Sequence, residues 1–215
     1  MRTAFFVGVL LGIAAVLAAA RFVPWVDPPR LPSETTVVAN GGRAEQFVIR
    51  LPADRIAGAG SSDAGLRAAA FPGGAELPDE LLSRPLLVEQ YKVRNRAGQV
   101  VGIAARHWTE AAGDAAIAWL IVIPSRGALM LTSAGERARA VDRAIGATGY
   151  RAGEAWTGDV TVRVAEPETG RIRAGSAEFE GLDGHFTETW NVTGVGAAGE
   201  LKGTIELDTV MLRGT

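Results

Sequence analysis

The chain has 215 residues, a formal net charge of −2 and no cysteine. The absence of cysteine excludes disulfides, zinc–thiolate sites and a cysteine nucleophile, and the lack of a basic block gives no sign of a nucleic-acid partner. Lys92 and Lys202 are the only lysines among the 22 basic side chains, a usage typical of high-GC bacterial genomes, which indicates a bacterial origin.

Residues 4–20 carry no charged or polar side chain. As a helix rising ~1.5 Å per residue they would span roughly 26 Å, close to the ~30 Å hydrocarbon core of a bilayer. The run predicts export in one of two forms: residues 1–20 stay as a signal anchor, or they are a signal peptide cleaved after Ala20 at an A-x-A site. We favour the anchor, because the apolar region of a signal peptide is usually only ~7–15 residues long.

Export from a bacterial cytoplasm predicts a single-pass protein of the inner membrane, with its C-terminal domain in the periplasm. If the segment is cleaved, the same domain is free in the periplasm. Residues 21–32 contain four prolines, which fix φ and favour extended chain, so we predict a stiff spacer there. The remaining residues, 33–215, are long enough for one domain with a hydrophobic core.

Along residues 33–215, apolar and polar side chains alternate in short runs separated by glycine-rich turns, a pattern that predicts β-strands. Residues 35–39 and 44–51 flank Asn40-Gly41-Gly42, which predicts a hairpin. Residues 53–85 have no sustained period and are predicted to be a long connection. Further strands are predicted at residues 86–94, 99–109, 116–123, 128–132, 160–164, 171–180, 186–192 and 201–211.

The pattern also predicts one surface helix. Ser133 and Glu136 fit a capping box and Gly146 is placed as a stop, so we expect a helix over residues 134–145. Nine or ten short strands with one surface helix predict a mainly β fold, either an antiparallel β-barrel or a β-sandwich meander. The N-terminal run adds a transmembrane helix in front of this domain.

The sequence contains no recognisable catalytic or metal-binding motif. His107 and His185 have no neighbouring ligand residues at metal spacing. A nucleophile elbow, a phosphate loop and a dinucleotide fingerprint are all missing. We therefore predict no catalytic residue, no metal ligand and no cofactor, and expect binding rather than enzymatic activity.

The longest predicted hairpin offers a candidate site. With the two-residue turn Ala97-Gly98, Glu89 lies directly across from Arg106. Tyr91 and Trp108 lie on the same strand face as this pair. The Glu89–Arg106 pair is either a polar anchor in a ligand cavity at a barrel mouth or a solvated cross-strand ion pair. We favour the ion pair, because the opposite face is aliphatic and suited to be the core. That face consists of Val88, Val101, Ile103 and Ala105.

Glu188 is the second candidate, since it lies between Phe186 and Trp190 on an otherwise apolar strand face. A carboxylate buried there would need a partner or would be held neutral. An exposed face on an edge strand is the favoured interpretation. If these faces are instead enclosed, the predicted ligand-binding residues are Glu89, Tyr91, Arg106, Trp108, Glu188 and Trp190.

The tract GSAEFEGLDGHFT at residues 175–187 resembles the G-x-F-x-G-L-x-G-x-F tract of small antiparallel barrels of the allene-oxide-cyclase and lipocalin-like kind. The resemblance covers thirteen residues, and no other motif of the chain matches those families. It therefore carries over no functional residue and assigns no family.

The leading hypothesis is a membrane-tethered periplasmic β-domain that binds a small apolar ligand or an envelope protein and performs no chemistry. The alternatives are a structural component of an envelope complex and a carboxylate-based hydrolase that uses Glu89, Glu188 and a histidine. The expected partners are the inner membrane, through residues 4–20, and the ligand or envelope protein. Nucleic acid is not expected.

Overall fold

A computed structural model of the chain describes residues 12, 36–38, 42–61, 86–109, 116–134 and 140–213. From residue 36 onward, the described residues belong to one compact unit, Pro32–Thr215. A 3₁₀ turn, Ala177–Phe179, lies between its ninth and tenth strands. The other elements are β1 Thr36–Val38, β2 Gly42–Leu51, β3 Arg55–Ser61, β4 Leu86–Arg94, β5 Val100–Thr109, β6 Ala116–Ile123, β7 Gly127–Ala134, α1 Ala140–Ala147, β8 Trp156–Ala165, β9 Gly170–Gly175, β10 Leu182–Val195 and β11 Leu201–Arg213.

Eight of these strands form a closed antiparallel barrel. Hydrogen bonds join them in the order β2–β11–β10–β9–β7–β6–β5–β4, and the pairing of Val48 with Arg94 brings β4 back to β2. Outside this ring, β1 pairs with β2, β3 with β4, and β8 with β10. The mainly β prediction is confirmed. Of the two predicted architectures, the barrel is right and the sandwich is wrong.

Alternating strand residues fill the barrel interior. In β10 the buried positions recur at every second residue from 186 to 192, and in β11 from 205 to 211. In β6 both faces are buried, as Ile117, Ala118 and Trp119 show. The sequence-based prediction of a central buried strand at residues 116–123 is therefore confirmed.

Two hairpins use the same three-residue turn. Between β4 and β5 the amide of Asn95 donates to the carbonyl of Gln99, and Gly98 has a φ of 83°. The turn between β10 and β11 repeats this pattern from Gly196 to Glu200, with a glycine of the same φ at the same place. Glycine suits this place because other residues rarely adopt a positive φ.

The β4–β5 pairing has the predicted register, although its turn differs from the predicted one. Glu89 pairs with Arg106, as the two-residue turn Ala97-Gly98 would require. The actual turn is one residue longer, and a one-residue bulge next to it offsets the difference. Because the two changes cancel, the side chains keep the faces that alternation predicts.

A helix is present over part of the predicted range, but its predicted start is wrong, and so is part of the predicted connection at 53–85. β7 continues to Ala134 and pairs with β6, so Ser133 lies in a strand and cannot cap a helix. The helix instead begins at Ala140, and its buried residues Val141 and Ile145 face the barrel domain. Part of the predicted connection at residues 53–85 is also a strand, since β3 pairs with β4. In both places the hydrogen bonds of a neighbouring strand decide the local structure.

Several predicted segments lie outside the described residues. They are the spacer at 21–32, residues 62–85 of the connection, and the export segment apart from Gly12. In the part of the chain that the structure describes, no helix is both long enough and apolar enough to cross a membrane.

Candidate ligand-binding site

A charged pair spans the barrel interior. Arg106 comes from β5 and Glu188 from β10, strands on opposite sides of the eight-strand ring. Arg106 Nε lies 3.3 Å from Glu188 Oε1, and the two side chains are 4% and 0% exposed. The contact is an ion pair without hydrogen-bond alignment, since Arg106 Nε has no hydrogen-bond partner among the described residues. Taking both charges out of water is costly, so other polar groups must support the pair.

Three indoles surround this pair. Trp119 Nε1 donates to Glu188 Oε2 at 2.9 Å, and Trp190 Nε1 donates to Oε1 at 2.7 Å. The guanidinium carbon of Arg106 lies 5.6, 5.7 and 5.2 Å from the ring centroids of Trp108, Trp119 and Trp190. These distances are within the cation–π range of about 6 Å. Both carboxylate oxygens therefore have a donor, and aromatic faces enclose the cation.

A row of alternating charges leads from the buried pair to the surface. Glu89 Oε2 lies 3.8 Å from Arg106 Nη1, and Glu89 Oε1 lies 2.8 Å from Arg55 Nη2. The exposed fraction of the side chain falls from 47% for Arg55 to 17% for Glu89 and 4% for Arg106. The outer ion pair, Arg55 with Glu89, is therefore screened by solvent and weak. The inner pair, Arg106 with Glu188, is shielded from solvent.

Tyr91 joins the indoles to this row of charges. It is 1% exposed, and its ring centroid lies 5.9 Å from that of Trp119. Burial, followed by the negative charge of Glu89 and a hydrogen bond to it, raises the pKa of Tyr91. The hydroxyl therefore stays protonated at physiological pH and remains a donor to the carboxylate.

A cavity of about 380 Å³ lies beside these residues, where β2 passes into β3 near the β10–β11 turn. Its apolar and aromatic lining consists of Leu51, Pro52, Ile56, Ala57, Tyr91, Trp190 and Leu201. Its charged lining consists of Arg55, Glu89 and Glu200. Small-molecule sites typically have ~300–1,000 Å³ and a mostly apolar lining with a few polar groups, and this cavity meets both criteria.

Asp54 fixes the rim of the cavity. Its carboxylate accepts hydrogen bonds from Arg94 Nε and Nη2, both at 2.8 Å, and from the amide of Arg50 at 2.9 Å. Burial opposes the charge of Asp54, but these hydrogen bonds outweigh it and lower the pKa of the carboxyl group. The turn that follows Leu51 and Pro52 is thereby tied to β4.

The structure brings the six predicted ligand-binding residues together. Glu89, Tyr91 and Trp190 line the cavity, and Arg106 and Glu188 lie in the charged row next to it. The sixth, Trp108, contacts the guanidinium of that arginine. Their role in ligand binding stays a prediction.

Both favoured interpretations of these faces are wrong. Arg106 is 3% exposed, whereas Ile103 on the aliphatic face is 55% exposed, so the charged and aromatic face is the interior. Glu188 does not lie on an edge, because β10 has hydrogen-bonded neighbours on both sides. Indole donors from two strands, with Arg106, make the burial of these charges possible.

Three charged or aromatic residues of the site were not predicted from the sequence: Arg55, Trp119 and Glu200. The aliphatic lining residues were not predicted either. Arg55 lies in the stretch that showed no periodicity. Trp119 pairs with Arg106 in the β5–β6 ladder, so extending the parity argument by one more hairpin would have found it. Glu200 closes a glycine-rich turn, and no sequence signal distinguishes it there.

The histidines do not join the site. His107 directly follows Arg106, and His185 lies three residues before Glu188, so strand alternation directs both to the other face of the sheet. Burial lowers the pKa of His107. Among the described residues, no three potential metal ligands lie close together. The structure therefore does not assemble the two glutamates and the histidine that the hydrolase hypothesis needs.

No family model matches the chain, and no curated protein matches it. Among solved structures, the chain is similar to a pterocarpan synthase dirigent protein, with 9% sequence identity and a TM-score of 0.40. The match covers 86% of this chain and 99% of the other. So distant a likeness carries no argument about function.

Proposed function

We propose that the protein binds a small, largely apolar ligand in the cavity at the β2–β3 junction and performs no chemistry on it. The proposal rests on the cavity, which has a volume of about 380 Å³ and a mostly apolar lining. The cavity lies beside a rigid wall. Rigidity of the wall follows from the burial of Arg106 and Glu188 and from the indoles that hold them. A preformed wall lowers the ordering cost of binding.

The arrangement of Glu188 supports binding over catalysis. A general acid or base must reach the proton that it transfers. Both oxygens of Glu188 already accept hydrogen bonds from Trp119 and Trp190, and the side chain is fully buried. This carboxylate therefore supports the cavity wall and does not present a reactive group to a ligand.

Filling the cavity should abolish binding. Ala57 lines the cavity and Ala147 is exposed on α1, so Ala57→Phe and Ala147→Phe add the same volume in different places. We expect 3-phenylpropan-1-ol to change the tryptophan emission of the full chain saturably, because Trp190 lines the cavity. Ala57→Phe should weaken this binding at least about tenfold, since the larger side chain occupies the ligand's volume. Ala147→Phe should bind as the unmodified chain does, and equal binding by both variants would contradict the proposal.

We further propose that residues 4–20 hold this domain at the bacterial inner membrane, with the barrel in the periplasm. The support is the apolar run in the sequence, whose length suits a membrane span. A reporter that is active only outside the cytoplasm, fused after Thr215, should be active in a bacterial host. Introducing Leu10→Arg and Leu11→Arg should abolish that activity, because charges at the centre of a span are costly. An inactive fusion of the unmodified chain would overturn this part of the proposal.

A further inference from the structure

β8 has one free edge. It pairs with β10 over residues 156–165, and no strand in the described part of the chain pairs with its other edge. Val160 and Val162, which lie on the inner face of the strand, are partly exposed. The side chains that alternate with them are exposed on the outer face: Thr157, Asp159, Thr161 and Arg163. Side chains on both faces therefore remain accessible along this edge.

The composition of β8 does not protect this edge from another strand. Edge strands are commonly blunted by proline, by lysine or by a charged side chain that points inward. β8 contains no proline or lysine, and both of its charged residues, Asp159 and Arg163, are exposed on the outer face. Its register shifts against β10 fall on either side of residues 160–163 and leave that stretch regular. The backbone N–H and C=O groups at the free edge can therefore bond to a further strand.

The outer face of β8 is complementary to itself in one antiparallel register. When two copies of the strand pair around Thr161, Asp159 of each copy faces Arg163 of the other. On the inner face, Val160 of each copy then faces Val162 of the other. Moving the centre by one residue in either direction breaks the pairing of the opposite charges. Opposite charges that face each other across a strand pair stabilise it, so this register is the favoured one.

Neither of these charges is used within one copy of the chain. Across the β8–β10 ladder, Arg163 faces Thr189, which carries no charge. Among the residues that the structure describes, neither Asp159 nor Arg163 has an ion-pair partner. Both are therefore available to a second strand at the free edge.

We infer that the protein forms a symmetric dimer in which the free edge of β8 pairs with the same edge of a second copy, antiparallel and centred on Thr161. A twofold axis gives a closed assembly in which both copies use the same patch. The pairing satisfies backbone groups on both edges and forms two Asp159–Arg163 ion pairs. A second copy suits this edge better than an unrelated strand, because both charges meet their opposite there.

Single cysteines locate the twofold axis, since the chain has none of its own. Thr161→Cys places the two thiols directly across from each other, whereas Thr157→Cys separates them by about 26 Å along the strands. A short bis-maleimide is applied to the full chain in nonionic detergent. Because only the first pair is within its reach, the cross-linked fraction of Thr161→Cys should exceed that of Thr157→Cys at least about fivefold. Both positions are exposed, and labelling with a monofunctional maleimide controls for thiol reactivity.

Charge reversal tests the pairing of Asp159 with Arg163. In the Thr161→Cys chain, either Asp159→Arg or Arg163→Asp makes like charges face each other, which should lower the cross-linked fraction at least about threefold. The two reversals together restore opposite charges and should recover the cross-linking. Arg96→Asp makes the same change of charge in the exposed β4–β5 turn and should leave the cross-linked fraction unchanged.

The inference is overturned if cysteines at residues 157 and 161 cross-link equally, or if neither cross-links. Equal cross-linking would show that the two copies meet without the antiparallel register. The inference is also overturned if the single reversals leave cross-linking unchanged, or if the combined reversal does not recover it.

Discussion

Glu188→Ala is expected to destabilise the barrel by roughly 3–5 kcal/mol, the cost of leaving a buried charge without its partner. The variant removes the carboxylate that lies 3.3 Å from Arg106 in a fully buried site. It also leaves the indole N–H groups of Trp119 and Trp190 without their acceptor. Urea denaturation with a common m-value should show the loss as a lower midpoint.

Glu206 provides a matched control for this measurement. It lies in β11 between two buried positions and faces outward, with hydrogen bonds from Gln46 and Asn191 at 3.5 and 3.1 Å. Glu206→Ala should cost about 1 kcal/mol or less, because solvent replaces what is lost. An equal loss of stability in both variants would contradict this prediction, because it would mean that burial of Glu188 does not increase the cost of removing its carboxylate.

Replacing both partners should recover part of the loss. Glu188→Leu combined with Arg106→Leu removes both charges of this pair, and buried ion pairs replaced by apolar groups are often tolerated. The recovery should be incomplete, since Trp119 and Trp190 still lack an acceptor. If the double variant were less stable than Glu188→Ala alone, Arg106 would stabilise the barrel through the indoles and Glu89 even when Glu188 is absent.

Much of this fold could be predicted from the sequence, because strand alternation is a local signal. The period of two at residues 186–192 and the glycine-rich turns predicted most of the strands of the barrel. The pairing of Glu89 with Arg106 was predicted from a two-residue turn, and it is right because a bulge offsets the longer turn that the structure has. Strand alternation shows which side chains share a face, but it does not show which of the two faces is buried. Hydrophobicity alone favoured the aliphatic face of β5 as the core, and the structure buries the charged and aromatic face.

The site required information that no single strand carries. Glu188 and Arg106 lie on opposite walls, so their contact depends on the closure of the sheet through Val48 and Arg94. If the closure of the sheet is not known, a glutamate between two aromatic residues is most simply interpreted as lying on the exposed face of an edge strand. β3 was missed for a related reason: small residues in an outer strand leave no periodic pattern, and its pairing with β4 is a tertiary effect.

A second buried arginine lies near the other end of β2, away from the cavity. Arg126, in the β6–β7 turn, is 3% exposed and donates to both carboxylate oxygens of Glu45 at 2.6 and 2.9 Å. It also donates to Glu178 at 3.2 Å, and its guanidinium lies 5.0 Å from the ring centroid of Phe179. Burial disfavours the cation, but the hydrogen bonds to the two glutamates outweigh it and raise the pKa of Arg126.

Arg126→Met should therefore cost roughly 3–5 kcal/mol, because it leaves Glu45 buried without a counter-charge and close to Glu178. Arg126→Lys keeps the charge but lacks the planar fork that matches the carboxylate, so its loss should be intermediate. Arg171→Met removes an exposed arginine of β9 and should cost less than about 1 kcal/mol. The midpoint of urea denaturation ranks the three variants. If Arg126→Lys were as stable as the unmodified chain, charge alone would hold this end of the barrel and the bidentate geometry would be incidental.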